Sequence, residues 1–281
     1  MACPHCFQGR SDGIHARSEK IIQALEKLKQ RGFDKILLTG GECTIHPHLE
    51  EILEESKKIG LRTGLFTNGF NLKHSILSQV DYISLSLDGT KPIHDSIRRP
   101  GSYERTIDAM EFCKCNGIET HVQITLQKYN IDEVRNLIPL LKRFSSVIGS
   151  VALMAVSPEG RALDNDLMLK DPSEVTTMKE EFQYGLGFST PIRDNVCLAI
   201  DAHSIFCGKR SHALWVDCVS NEVYHAAGFE ETTIDGYDSE WDETNNSRIN
   251  SSIKQMCLPR TFLTDEVYLH LTNPSREWLY E

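Results

Sequence analysis

No long apolar run is present. The longest, VALMAV at 151–156, falls far short of the ~20 residues needed to cross a bilayer, so no membrane partner is expected. No positively charged stretch followed by an apolar one precedes the first helical pattern, so a secretory signal is not expected either. Basic charge is also short: 30 Lys and Arg against 40 Asp and Glu leave a formal net charge of −10. With no dense basic cluster, that balance argues against a nucleic-acid surface. From these absences the chain is expected in the cytoplasm. Cysteine, by contrast, is plentiful, with nine at positions 3, 6, 43, 113, 115, 197, 207, 218 and 257. An odd number in a reducing compartment suits thiols or metal ligands better than a disulfide framework. A chain of 281 residues, 40% hydrophobic, is long enough for one large domain, or one domain with a cap.

The apolar pattern alternates between helical and strand periods. EKIIQALEKLKQR (19–31) spaces Ile21, Ile22, Leu25 and Leu28 for a helix and stops at Gly32. KILLTGG (35–41) is a short strand ending in glycines, LEEILEESKKIG (49–60) is a second helix, and LRTGLFTNG (61–69) is a second strand. DYISLSLDG (81–89) alternates apolar and polar residues and ends in Asp-Gly. A helix over 103–116, a strand over 118–126, a helix near 131–144 and a strand over 147–156 follow. Five strands linked by helices imply an α/β fold, a parallel sheet with helices on its outer face. Its polar and glycine-rich residues collect at the carboxyl ends of strands, where such sheets bind ligands. On the helix after Gly101, Cys113 falls in the stripe Tyr103, Ile107, Met110 and reads as core; Cys115 reads as a bystander.

The cysteines most suggestive of chemistry are Cys3 and Cys6, in CPHC at the start of the chain. Taken alone they are a zinc half-site or a surface thiol pair. Their company is more informative. CPHC, then LLTGGEC, LFTNG, SLSLDG, HDSIRRPGSYERTI (94–107), LQKYN (126–130) and SPEGRA (157–162) form an ordered series that resembles the radical S-adenosylmethionine superfamily over residues 1–165. The resemblance implies a partial (β/α) barrel carrying a 4Fe–4S cluster held by CxxxCxxC, with three thiolates leaving one iron open for S-adenosyl-L-methionine. Cys3 and Cys6 match the second and third cysteines. The first would lie two positions before Met1, in a loop that a first strand should precede. The expectation is therefore an N-terminal truncation in mid-motif, with the first barrel strand missing.

The same resemblance assigns the other site residues. His5 sits where the family carries a residue near the adenine. Gly40, Gly41 and Glu42 match the motif that receives the methionine amino group; glycine lets the backbone approach, and the carboxylate offsets the ammonium. The usual proline after that motif is Cys43 here, which is either a surrogate cluster ligand or an incidental buried thiol. Ser84, Ser86 and Asp88 share one face of an alternating strand and match the groups presented to ribose and carboxylate. Arg98 matches an arginine near the substrate-side carboxylates, and Asn130 and the turn Pro158–Arg161 match the adenine rim. No catalytic residue is assigned.

Residues 166–281 read as a small α+β cap. LWVDCVSNEVYHAAG (214–228) is a β-hairpin with Ser220-Asn221 in the turn, followed by an acidic stretch at 230–243 and CLPR at 257–260. This resembles the SPASM or twitch cap of peptide-modifying members, with its cysteines degenerate. His225-Ala226 replaces the Pro-Cys that follows the hairpin, and Cys197, Cys207, Cys218 and Cys257 match no trusted metal spacing, so the cap is expected to be metal-free. The implied function is reductive cleavage of S-adenosylmethionine and hydrogen abstraction from a ribosomally made peptide. A ferredoxin or flavodoxin would be the electron donor. The competing expectation is a non-catalytic barrel that binds a peptide or nucleotide without a cluster.

Overall fold

Helix and strand alternate from Ser18 to Ala155 in the computed structural model. It describes residues 3–6, 15–30, 33–156, 161–162, 165–171, 173–187, 189–194, 214–217, 222–225, 232–233 and 267–270. In chain order the elements are α1 (Ser18–Gln30), β1 (Lys35–Thr39), a 3-10 turn (Cys43–Ile45), α2 (Leu49–Ile59), β2 (Arg62–Thr67), α3 (His74–Leu77), β3 (Tyr82–Ser86), α4 (Lys91–Ile97), α5 (Ser102–Asn116) and β4 (Glu119–Leu126). There follow a 3-10 turn (Val134–Leu137) leading into α6 (Ile138–Lys142), then β5 (Ile148–Ala155), α7 (Ser173–Leu186), β6 (Ile192–Asp194), β7 (Leu214–Asp217), β8 (Glu222–His225), β9 (Thr232–Thr233) and β10 (Val267–His270). Strands β1 to β5 are the five that the periodicity implied. The helix expected near 131–144 is instead a 3-10 turn and a short α6. Pro139 stands at the start of α6 and has no N–H to carry the hydrogen-bond ladder on from the preceding turn.

The described residues fall into two compact units. In the first, made from residues 3–6 and 65–194, β3, β4, β5 and β6 pair side by side and parallel. Every second residue of β4 is buried, so its Thr120, Val122, Ile124 and Leu126 face the core as a two-residue period requires. Helix α5 packs on β4 and on α3 and α4, while α7 packs on β5 and β6. Met110 and Cys113 of α5 are fully buried. Cys113 is core, as its stripe implied, and burial pushes its thiol up to about 11, which leaves it unreactive.

In the second unit, made from described residues of 15–64 and 214–270, α1 packs on α2. Ile21, Leu25 and Leu28 of α1 and Ile52 and Leu53 of α2 are fully buried or nearly so. Each such side chain contributes about 1.5–3 kcal/mol of transfer free energy. Strand β1 pairs parallel with β10, with Leu38 opposite Leu269, and β10 pairs parallel with β7. Strands β7 and β8 form the hairpin read from the sequence, closing between Asp217 and Glu222. The four late cysteines (Cys197, Cys207, Cys218, Cys257), the turn at 157–160 and the acidic stretch at 230–243, apart from Thr232 and Thr233, lie outside the described residues.

Candidate functional site

Strand β3 runs out at Ser86, and the chain turns sharply through Asp88 and Gly89 into α4. A Cβ on Gly89 would lie 2.8 Å from the Ile93 side chain, so only glycine lets α4 begin so close to the strand end. That tight turn brings His94 and Arg98, one helical turn apart on α4, back to Asp88. Arg98 Nε donates to Asp88 Oδ2 at 2.6 Å. The Thr125 backbone N–H at the end of β4 donates to Asp88 Oδ1 at 2.9 Å. Asn130 Nδ2 donates to Asp88 O at 2.7 Å and to Thr125 O at 2.8 Å, and its Oδ1 accepts from the Gln127 N–H. The Asp88 N–H donates to His94 Nδ1 at 3.1 Å. Asp88 is wholly buried, and burial works against its charge; Arg98 above all, then His5, outweighs this and keeps its carboxyl below the usual range.

Cys3 and Cys6 share one turn, closed by a hydrogen bond from the Cys6 N–H to Cys3 O at 3.2 Å. Residues after β5 hold that turn: the Arg161 N–H donates to Cys6 O at 2.9 Å, Arg161 Nη1 to Cys3 O at 3.4 Å and Asn165 Nδ2 to Pro4 O at 3.5 Å. Burial raises the Cys3 thiol above its ordinary value, opposed by the Arg98 charge. His5, between the two cysteines, places Nε2 3.9 Å from Asp88 Oδ2, and burial lowers its pKa to about 4. The turn therefore sits beside the Asp88–Arg98 pair within the first unit. Ser84 is half-buried and Ser86 buried on β3.

One feature sets this region apart from ordinary core. Of the four buried side-chain atoms without a hydrogen-bond partner among the described residues, three are here: His5 Nδ1, His94 Nε2 and Gln127 Oε1. Each belongs to a residue tied to Asp88 directly or through Asn130. Buried polar atoms are rarely left unpaired, because each costs about 1–3 kcal/mol; three around one carboxylate fit a polar ligand in that place.

In the second unit, Gly40 takes φ of 133° directly after β1, a conformation that side-chain-bearing residues rarely adopt. Glu42 is buried, and its Oε1 accepts from Thr44 N–H at 3.2 Å and Thr44 Oγ1 at 2.7 Å, capping the 3-10 turn that contains buried Cys43. His46 fixes the far side of this loop, with Nε2 2.8 Å from Ala16 O and Nδ1 accepting from the His48 N–H. Among the described residues no three of His, Cys, Asp and Glu converge as a metal site.

Set beside known families, residues 1–141 match the radical SAM superfamily. The chain belongs to that superfamily. Its members are enzymes that use S-adenosylmethionine and an iron–sulfur cluster. The chain is 27% identical over 176 residues to an AdoMet-dependent heme synthase of Methanosarcina barkeri, covering 59% of this chain and 50% of the relative. It is also 27% identical over 154 residues to a PqqA peptide cyclase of Ruegeria pomeroyi, covering 50% and 40%. It thus spans about half the length of these relatives. The fold superposes on the Streptococcus suis protein SuiB bound to S-adenosylmethionine with a TM-score of 0.66 at 14% identity, covering 89% of this chain and 64% of SuiB. SuiB is also known in complex with its precursor peptide SuiA.

The sequence reading did not single out His94 or Thr125, and it assigned Asn130 and the turn ending in Arg161 to the adenine rim. Asn130 is wholly buried, clasping the ends of β3 and β4. A signal for His94 was present: in HDSIR the histidine and the arginine stand at i and i+4, the spacing that puts two side chains on one helix face. Thr125 acts through its backbone N–H, a group that every non-proline residue carries.

Proposed function

We propose that the chain binds S-adenosylmethionine with the groups around Asp88 and Arg98, and that it abstracts hydrogen from a ribosomally made peptide. The carrying observation is the trio of buried, unpartnered polar atoms around Asp88. They are a donor and acceptors aimed at no protein group, beside a charge pair that suits a zwitterionic ligand. In this reading Ser84 and Ser86 face the ribose and carboxylate, His5 borders the adenine, and Gly40, Gly41 and Glu42 receive the methionine amino group. The peptide is supported by the relative named as a peptide cyclase and by the fold shared with SuiB. A SPASM-like cap after the barrel and a ferredoxin or flavodoxin as electron donor belong to the same reading.

The cluster fits less well. Cys3 and Cys6, on one turn, can supply two of the thiolates a 4Fe–4S cluster needs, and among the described residues no third ligand joins them. That observation favours a second reading, in which residues 1–281 bind S-adenosylmethionine without holding a full cluster. Anaerobic reconstitution of the full chain with iron and sulfide separates the two. The two-thiolate site predicts substoichiometric iron and a weak, unstable 4Fe–4S absorption; a full and stable signal rejects the second reading.

Equilibrium dialysis with labelled S-adenosylmethionine tests the binding itself. Glu42→Ala is expected to weaken affinity about tenfold or more, the effect of losing a charge-assisted contact. Glu54→Ala, on the exposed face of α2, should leave affinity unchanged. Equal effects from the two, or no binding by the wild-type chain, would reject the assignment.

A further inference from the structure

The four polar groups of Asp88 are each held by a different residue. Its N–H donates to His94, its C=O accepts from Asn130, Oδ1 accepts from Thr125 and Oδ2 accepts from Arg98. Three of these partners are amides or a guanidinium, groups with no choice of proton position. His94 does have a choice. Its Nδ1 must be unprotonated to accept the Asp88 N–H, so the ring proton resides on Nε2. His94 Nε2 is itself buried with no protein partner, and the ring is wholly shielded, edge-on to Tyr103 at 6.1 Å between centroids.

We propose that His94 is a positioning residue for the Asp88–Arg98 pair: by accepting the Asp88 N–H it fixes the peptide from which the carboxylate reaches Arg98. This rests on the reading that the pair lies in the S-adenosylmethionine site. Gly89 makes the arrangement possible, because the close turn into α4 lets a residue of the helix bond to the last peptide before it. Burial supports the neutral ring, lowering the His94 pKa to about 4 although Asp88 and Asp95 favour the charged form; Arg98 and His5 oppose it.

The test exploits the atom His94 uses. In His94→Asn the Oδ1 stands the same number of bonds from Cα as Nδ1 and accepts the same N–H. In His94→Gln the oxygen moves to the position of Nε2 and abandons it. Labelled S-adenosylmethionine is dialysed against full-length wild type and both variants, with urea midpoints confirming that each is folded. The expected result is a ranking: His94→Asn, which gives up Nε2 but keeps the Asp88 bond, should bind several-fold more tightly than His94→Gln, which keeps a polar atom at the Nε2 position and loses that bond, at a cost on the order of tenfold. Equal loss in both variants, wild-type affinity in both, or the greater loss in His94→Asn overturns the proposal.

A second readout stands apart from ligand binding. In the 15N spectrum of the imidazoles, His94 should show the Nε2–H form at neutral pH. The Asp88 amide signal should shift in His94→Gln and stay in His94→Asn. If wild type binds no S-adenosylmethionine, the proposed function fails and these signals alone decide the role of His94. An Nδ1–H form in wild type rejects it, whether or not either variant folds.

Discussion

A buried carboxylate loses several kcal/mol of hydration, which only well-placed partners replace. At Asp88 the partners are one charged donor, Arg98, and one backbone N–H, Thr125, so the charge is matched inside the first unit. Near neutral pH the histidines beside it add no second positive charge: His5 and His94 both have pKa values lowered to about 4, chiefly by burial, and charge only in acid. For His94 this links stability to pH. Its unfolded value is 6.5, so between pH 6.5 and 4 the unfolded chain binds a proton that the folded chain refuses, and stability rises with pH across that window. The contribution is complete above pH 6.5 and lost as pH falls toward 4. At about 1.4 kcal/mol per unit its ceiling is about 3 kcal/mol. Urea midpoints measured from pH 7 to pH 4.5 should fall less steeply in His94→Asn than in wild type. Parallel slopes would show that His94 is charged in the folded state.

The short helix α4 shows how an element joins the site to the scaffold. One end presents His94 and Arg98 to Asp88, while Asp95 between them turns outward to the start of α5. Asp95 Oδ1 accepts from the Tyr103 N–H at 2.8 Å and from Ser102 Oγ at 3.2 Å, and Oδ2 accepts from the Gly101 N–H at 3.2 Å. The two amides are among the donors that the first turn of α5 leaves without helical partners. Partial desolvation opposes the Asp95 charge, but these bonds and that from Lys91 outweigh it and lower its carboxyl to about 2. Asp95→Ala should cost about 1 kcal/mol, the usual loss for a helix cap, read as a lower thermal midpoint. An unchanged midpoint would mean that solvent serves those amides equally well.

At the same scale, what was legible in the sequence was local. The glycines and polar residues that end β1, β2 and β3 marked the strand ends where the sequence reading put its candidate site. Three-residue β6 and four-residue α3 are too short to show a period. The bonds to Asp88 were illegible for another reason: half come from backbone groups or from residues more than thirty positions away, such as Thr125 and Asn130.

For the whole molecule, the most distant pairing described is that of β1 with β10, Leu38 opposite Leu269. No local pattern predicts it. The sequence reading recognised the β7–β8 hairpin from its turn and alternation, yet it had no means of setting β7 beside β10, or β10 beside the strand that carries Gly40, Gly41 and Glu42. Because β10 pairs on both sides, with β1 and with β7, it is an interior strand of the second unit. Proline there removes a ladder hydrogen bond and is tolerated essentially only at sheet edges or bulges. Leu269→Pro should therefore open the sheet, and hydrogen exchange should report it as faster exchange of the amides of Lys35–Thr39. The exposed-loop substitution Lys73→Pro, at the residue before α3, is the control and should leave those amides protected. If Leu269→Pro leaves them as protected as in wild type, the order of β1 does not depend on β10.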